Sequence, residues 1–295
     1  MSRALTAALS KLLASETGMA SSSFSSAQQL ALQDFARQTQ AIRQVPQGRG
    51  SQYQILDMQV VQSHLNRLSP ITDPHILNAL PQRAANLARF RNSKGAASGH
   101  CREYLLLKSI GTEATWRNDG EDISVDLSSV TSLFGAAALS IQVADSWCSD
   151  VPLWLVENQA LFDDLSWLPK QATGTVCYYK GNISGVLLDW LSYCPRAPQI
   201  MLFPDYDGIG LQNFARLRER LGETVELWLM GNWKELLKRH GNQQIWVDNH
   251  SNFRDAVKRL NALNGIPAEL LALCSSMQAT GLALEQEAVF LDQCE

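Results

Sequence analysis

Three acidic residues stand directly after short apolar runs. Glu157 follows Val151-Pro152-Leu153-Trp154-Leu155-Val156, and Asp205 and Asp207 follow Gln199-Ile200-Met201-Leu202-Phe203. Hard carboxylate oxygens gathered at one point suit magnesium or manganese. An ion held in that way polarises a phosphoryl oxygen, lowers the pKa of an attacking water and stabilises the leaving oxygen. The Asp-x-Asp spacing lets both aspartates approach one point when Tyr206 turns away, and Gly208 and Gly210 let the backbone bend tightly into the next element. The same residues have a plainer use, since acidic side chains after a strand are common helix N-caps. Glu157 at the end of a second apolar run shifts the balance toward a metal site.

The elements that must position these carboxylates are legible in the C-terminal half. Strands are expected at 151–156, 173–179, 199–203 and 225–229, with helices between them to about 165, through 193 and to 221. Near-continuous hydrophobic strands alternating with helices predict an α/β fold with a parallel sheet covered on both faces. In such a sheet ligands bind outside the carboxyl ends of the strands, which is where Glu157, Asp205 and Asp207 fall.

The N-terminal part has another character. Leu5, Leu9, Leu12 and Leu13 share one face of a helix expected at 4–14, and a second helix is expected at 27–38 with Leu30 and Phe35 inward. Residues 41–56 alternate in polarity around Pro46 and Gly48, a β-hairpin pattern. Helices followed by a hairpin tipped with Arg and Gly outline a winged-helix-like domain, from which Arg43 and Arg49 could reach phosphates. The stretch 58–94 reads as helical with breaks at Pro70, Pro74 and Pro81, Gly95–Gly99 as a flexible joint, and 103–127 as strands. The expected division is a winged-helix-like domain at 1–70, a helical and strand connecting region at 71–150, and an α/β domain with a C-terminal extension at 151–295.

Net charge is divided along the chain. Residues 1–110 carry 12 Lys and Arg against 5 Asp and Glu, whereas the remainder carries 13 against 24. A basic first part meeting a polyanion, joined to an acidic part holding cations, fits this asymmetry; chance clustering of solvated charges is the plainer account. The six cysteines are scattered without a CxxC pair, so no zinc site is expected. No apolar run is long enough to span a bilayer and 1–13 lacks the pattern of a signal peptide, so no membrane partner and a cytoplasmic location are expected. No P-loop is present, so any use of ATP belongs to another protein.

The order Leu155-Val156-Glu157-Asn158, Lys180-Gly181-Asn182-Ile183-Ser184-Gly185, then Asp205-Tyr206-Asp207-Gly208-Ile209-Gly210 resembles the Toprim domain. It is most similar to the version shared by the topoisomerase VI A subunit and the JetD (MksG) nuclease subunit of Wadjet-type SMC defence systems. Phe162 downstream of Glu157-Asn158 fits that group, as does Leu284-Glu285-Gln286-Glu287 near the end; Pro204 stands where the group typically has Gly. The resemblance covers 150–295 and implies a C-terminal Toprim domain, a Rossmann-like parallel sheet. It implies Glu157, Asp205 and Asp207 as metal ligands for Mg2+ or Mn2+, with Glu287 as a further ligand or general base. Lys180, Gly181 and Ser184 are phosphate-binding candidates at a helix N-terminus, and Ser184 is equally a plain N-cap. The implied activity is a metal-dependent endonuclease hydrolysing double-stranded DNA. It would work as a homodimer with an SMC-like ATPase, its kleisin and an accessory subunit, against plasmid or foreign DNA. Two other readings stay open. One is a topoisomerase-like transesterase using Tyr53, the sole tyrosine in residues 1–103; the other is a non-catalytic DNA-binding scaffold on a degenerate Toprim fold.

Overall fold

A computed structural model of the chain describes residues 2–15, 18–48, 50–69, 74–90, 92–93, 101–111 and 114–291. Arg49 at the hairpin tip and the joint expected at Gly95–Gly99 lie outside the described residues. The chain divides into two compact units, Met1–Gly99 and His100–Glu295. Among the described residues no helix is long and apolar enough to cross a membrane.

The first unit runs α1 (Ser2–Leu13), β1 (Met19–Ala20), α2 (Ser26–Thr39), β2 (Ile42–Gln47), β3 (Gly50–Ile55), α3 (Met58–Leu68), α4 (Pro74–Ala79) and α5 (Gln82–Phe90). Helix α2 begins with a full capping box, Ser25 with Gln28, which satisfies backbone donors at its start. Strands β2 and β3 form the antiparallel hairpin expected from the alternation, with Gly48 at φ 58° in the turn. Together with β1 they make a sheet in the order β1-β3-β2. Leu9 and Leu12 of α1, Leu32 and Phe35 of α2 and Val61 and Leu65 of α3 close over Tyr53 as one core. Leu30, expected inward, is 62% exposed. At roughly 100° per residue it stands about 200° from Leu32 and about 140° from Phe35, on the far side of the helix.

The second unit continues with β4 (Glu103–Ile110), β5 (Thr115–Asn118), β6 (Ile123–Asp126), α6 (Leu127–Phe134), β7 (Ala137–Ile141) and β8 (Trp147–Ser149). Next come β9 (Leu153–Val156), α7 (Gln159–Asp163), β10 (Gly174–Tyr178), α8 (Gly185–Tyr193), β11 (Ile200–Phe203), α9 (Gly208–Leu221) and β12 (Val225–Leu227). Helices α10 (Trp233–His240), α11 (Gln243–Asn261) and α12 (Ala268–Thr280) precede a short 3-10 turn, Gln286–Phe290. The main sheet has the order β12-β11-β9-β10-β4-β7. Strands β12, β11, β9 and β10 are mutually parallel, while β4 runs antiparallel to β10 and β7 antiparallel to β4.

The sheet is therefore mixed, where the sequence pattern predicted a parallel one, and the fold is mixed α/β. Two of its strands, β4 and β7, come from residues expected to form a connecting region. The burial pattern gives the reason. All four residues of β9 are buried, as a strand covered on both faces requires. In β4 the buried residues Leu105, Leu107 and Ser109 alternate with Tyr104 and Leu106, which face outward, the signature of a strand covered on one side. A second small antiparallel sheet, β6-β5-β8, belongs to the same unit. It is tied to the main sheet by Trp116, whose indole N–H donates to Thr175 Oγ1 at 3.0 Å.

Candidate functional site

The carboxyl ends of β9 and β11 lie side by side, since Val156 pairs with Phe203. Glu157 leaves the first of these ends, and Asp205 and Asp207 leave the second. The loop between β11 and α9 is shaped by close approach. A Cβ on Gly210 would stand 2.0 Å from the Asp205 carbonyl oxygen, and one on Gly208 would stand 2.1 Å from the Asn249 carbonyl oxygen. Neither position tolerates a side chain, so the two glycines let α9 start directly under the aspartates and seat it against α11. Tyr206, between the aspartates, turns away as expected: it is fully buried, its hydroxyl donates to the Trp228 carbonyl at 3.2 Å and accepts from the Met230 amide at 2.8 Å.

Each carboxylate is held by protein donors. Asp207 caps α9, accepting from the Gly210 amide at 2.7 Å on one oxygen and from Asn249 Nδ2 at 2.6 Å on the other. The N-cap role that sequence alone could not exclude is thus real, and it coexists with a place in an acidic cluster. Asp205 accepts from the Gln286 amide at 2.8 Å. Glu157 accepts from the Tyr179 hydroxyl at 3.1 Å. The Asn158 side chain caps α7 through the Ala160 amide at 3.0 Å and donates to Glu287.

The segment after α12 closes the cluster from below. Leu284 exchanges both backbone hydrogen bonds with Tyr206, at 2.7 and 3.0 Å. Gln286, wholly buried, accepts from the Asn158 amide at 3.1 Å and donates to the Phe203 carbonyl at 3.4 Å. One side chain thus joins the ends of β9 and β11. Glu287 lies on the 3-10 turn and not on a regular C-terminal helix, and its neighbour Glu285 is exposed.

Burial and mutual repulsion dominate the electrostatics. Burial first, then the charges of Asp205 and Asp207, push the Glu157 carboxyl up to about 8. Burial pushes Asp205 up to about 7, with Asp207, Glu287 and Glu285 adding to the rise against the Gln286 amide. Asp207 is raised by burial as well, and Tyr179 far above the ordinary phenol range. The carboxylates are close enough to feel one another. Even so, among the described residues no group of three or more His, Cys, Asp or Glu stands close enough together to hold a metal ion as it is. The donor set itself, hard carboxylate oxygens in a largely desolvated setting, fits a small divalent cation, which would displace their protons.

The other candidates are placed as follows. Ser184 caps α8, accepting from the Leu187 amide at 3.0 Å, and its hydroxyl donates to Glu103. The Ile183 amide is bound by Asn213 Oδ1 at 3.2 Å, which removes it from the amides a phosphate could use. Lys180 is exposed, and Lys180 and Gly181 both have positive φ, 57° and 72°. Arg43 is exposed on β2, in the first unit. Tyr53 is buried in the core of that unit, its ring edge-on to Phe24 and its hydroxyl donating to the Gln29 carbonyl at 3.4 Å; burial raises its pKa. The five described cysteines are all unpaired thiols.

Three participants carried no sequence signal of their own. Tyr179 is marked by the sequence only as a strand residue, Asn249 lies mid-helix with no distinguishing spacing, and Gln286 stands inside Leu284-Glu285-Gln286-Glu287, where the acidic Glu287 draws the chemical reading.

The chain belongs to the family described as a domain of unknown function, DUF7281, which matches residues 117–295 and so includes every carboxylate of the cluster. No curated protein matches the chain.

Proposed function

We propose that the second unit is a Toprim-type nuclease domain in which Glu157, Asp205 and Asp207 hold Mg2+ or Mn2+ and phosphodiester bonds of DNA are hydrolysed. The observation that carries this reading is the acidic cluster itself. Three buried or half-buried carboxylates at adjacent strand ends, with ionisation suppressed by burial and, for Glu157 and Asp205, by their acidic neighbours, form an arrangement that costs stability when ionised unless a cation joins it. The four parallel strands with intervening helices agree with the Rossmann-like core that a Toprim domain requires.

A bound divalent ion would supply a polarised phosphoryl oxygen and an acidified water. The chain's own part is positioning. Tyr179 orients Glu157, Asn249 and the α9 amides orient Asp207, and Gln286 fixes the separation of the two strand ends. Glu287, held by Asn158, stands as the nearby base candidate. Lys180, exposed and next to Tyr179, is placed to meet a phosphate. In this reading the first unit is a winged-helix-like domain whose Arg43 meets DNA. The likeness to JetD extends the proposal to a homodimeric subunit acting with an SMC-like ATPase, kleisin and accessory subunit. Burial of Tyr53 argues against the transesterase.

A non-catalytic scaffold has one observation on its side, the absence among the described residues of a preassembled three-residue metal group. Plasmid cleavage with Mn2+ separates the two. The expected result is cutting that EDTA abolishes and that Asp205→Asn lowers at least 100-fold, with Mn2+ binding heat lost in the same variant. Cleavage at the wild-type rate by Asp205→Asn and Asp207→Ala overturns the site, and wild-type protein without Mn2+ heat favours the scaffold.

A further inference from the structure

Tyr179 is shared between two places. Its hydroxyl reaches Glu157, and the residue also lines a separate pocket of about 360 Å³ with Glu103, Tyr104, Leu106, Tyr178 and Lys180. This pocket lies at the end of the β4 and β10 strands, and one face of the main sheet supplies its most exposed side chains. Register puts Leu106 opposite Tyr178, and Tyr104 two residues on along β4 on the same face, opposite Ser140 of β7. Tyr104 is 69% exposed and Leu106 40% exposed. Further along that face, over β9 and β11, Trp154, Phe203 and Trp167 pack against one another and are buried. Phe162 packs against Tyr178 with ring centroids 5.9 Å apart, and beyond it Tyr104 is left open at the end of the sheet where the carboxylates lie.

The charges around this face select its occupant. Lys180 lines the rim, and Arg102, exposed at the start of β4, is held beside the face by donating to Ser140 Oγ at 3.1 Å. The Glu103 carboxylate alternates to the other side of β4, where it accepts from the Ser184 hydroxyl. Cations at the border of an otherwise uncharged aromatic face draw a phosphate to the rim and leave the rings themselves to an uncharged group. An uncharged planar ring can enter and stack on tyrosine, as unpaired bases do on aromatic platforms.

We infer that this face, formed by Tyr104, Leu106 and Tyr178 with Lys180 and Arg102 at its border, binds an unpaired nucleobase of a DNA strand whose phosphate backbone runs toward the carboxylates. The inference rests on the nuclease reading and names its substrate class: a strand that is single or locally opened where it is cut. An intact duplex keeps its bases stacked inside and cannot present a ring to the pocket.

The full chain is titrated, in Ca2+ buffer, with a single-stranded oligonucleotide carrying 2-aminopurine and with the duplex of the same sequence. The single strand should bind at least about tenfold more tightly and its 2-aminopurine emission should change on binding. Tyr104→Ala should weaken it by about tenfold, the scale of losing one base stack, while Tyr104→Phe should restore it. Equal binding by Tyr104→Ala overturns the inference, as does equal affinity for duplex with unchanged emission. A Tyr104→Ala variant that alters only the oligomeric state overturns it too, and makes the face a contact between copies of the chain. Calorimetry with Mn2+ on the wild type and Tyr104→Ala keeps the two ideas apart. Mn2+ heat without strand preference removes the platform alone, and strand binding without Mn2+ heat removes the nuclease alone.

Discussion

In the metal-free protein, acidification should stabilise the second unit, against the usual behaviour of carboxylates. A carboxyl whose folded pKa lies above its unfolded value binds its proton more tightly in the folded state. Its stabilising protonation is complete below the unfolded value and is lost as pH rises through the folded one. For Glu157 those limits are 4.5 and about 8. At 1.36 kcal/mol per unit the full span corresponds to about 5 kcal/mol, of which about 2.5 kcal/mol is regained between pH 7 and pH 5. Asp205, raised from 3.8 to about 7, acts in the same direction. The depressed aspartates Asp126, Asp150 and Asp164 remain ionised over this window in both states and do not oppose it. At about 2–4 °C per kcal/mol for a unit of this size, the melting midpoint should rise by roughly 5–10 °C. All eight tryptophans lie at or beyond position 116, so tryptophan fluorescence in EDTA follows the second unit and ignores His64, a residue of the first. Glu157→Gln, which keeps the shape and removes the charge, should melt higher at pH 7 and show a shallower pH slope. A wild-type midpoint that stays flat or falls from pH 7 to pH 5, or a variant with an unchanged slope, would refute the account of the cluster.

Three further outcomes follow from the same geometry. Asn249→Ala removes the donor at 2.6 Å from Asp207 and should weaken Mn2+ binding about 10- to 100-fold by calorimetry, with a stability loss near 1 kcal/mol in urea unfolding. Gly210→Ala places a methyl 2.0 Å from a backbone oxygen and should cost about 3 kcal/mol by the same unfolding assay. Gly231→Ala, whose Cβ would meet nothing within 4 Å, should stay within about 0.5 kcal/mol.

Strands β9 and β11 at the heart of the second unit were legible because each is a continuous apolar run of strand length ending at an acidic residue or Pro. Strand β7, Ala137-Ala138-Leu139-Ser140-Ile141, carries small residues and little alternation, because an edge strand makes weaker demands on its sequence. Its direction and that of β4 depend on how the chain returns to the sheet, which hydrophobic patterning does not encode. Glu157, Asp205 and Asp207 were legible for a different reason, their position just past buried strands. Asn249 and Gln286 are ordinary amides at ordinary positions, and their contribution comes from packing across 42 and 128 residues of chain. The expected Leu30 core position shows the opposite limit: an apolar residue in a helix establishes the element, while which face is buried depends on what packs against it.

The span from Asn158 to Gln286 also orders events during synthesis. A chain emerging from the ribosome can pair β9 with β10 and β11 as soon as they appear, because those contacts need only the local βα units. The strand ends acquire their final spacing later, when Leu284 pairs with Tyr206 and Gln286 enters between Asn158 and Phe203. Until that last segment arrives Asp205 lacks the Gln286 amide, and the two strand ends lack the buried side chain that joins them. The cluster is therefore chemically immature until the segment through Gln286 has been made, and whatever it binds, it binds only after that.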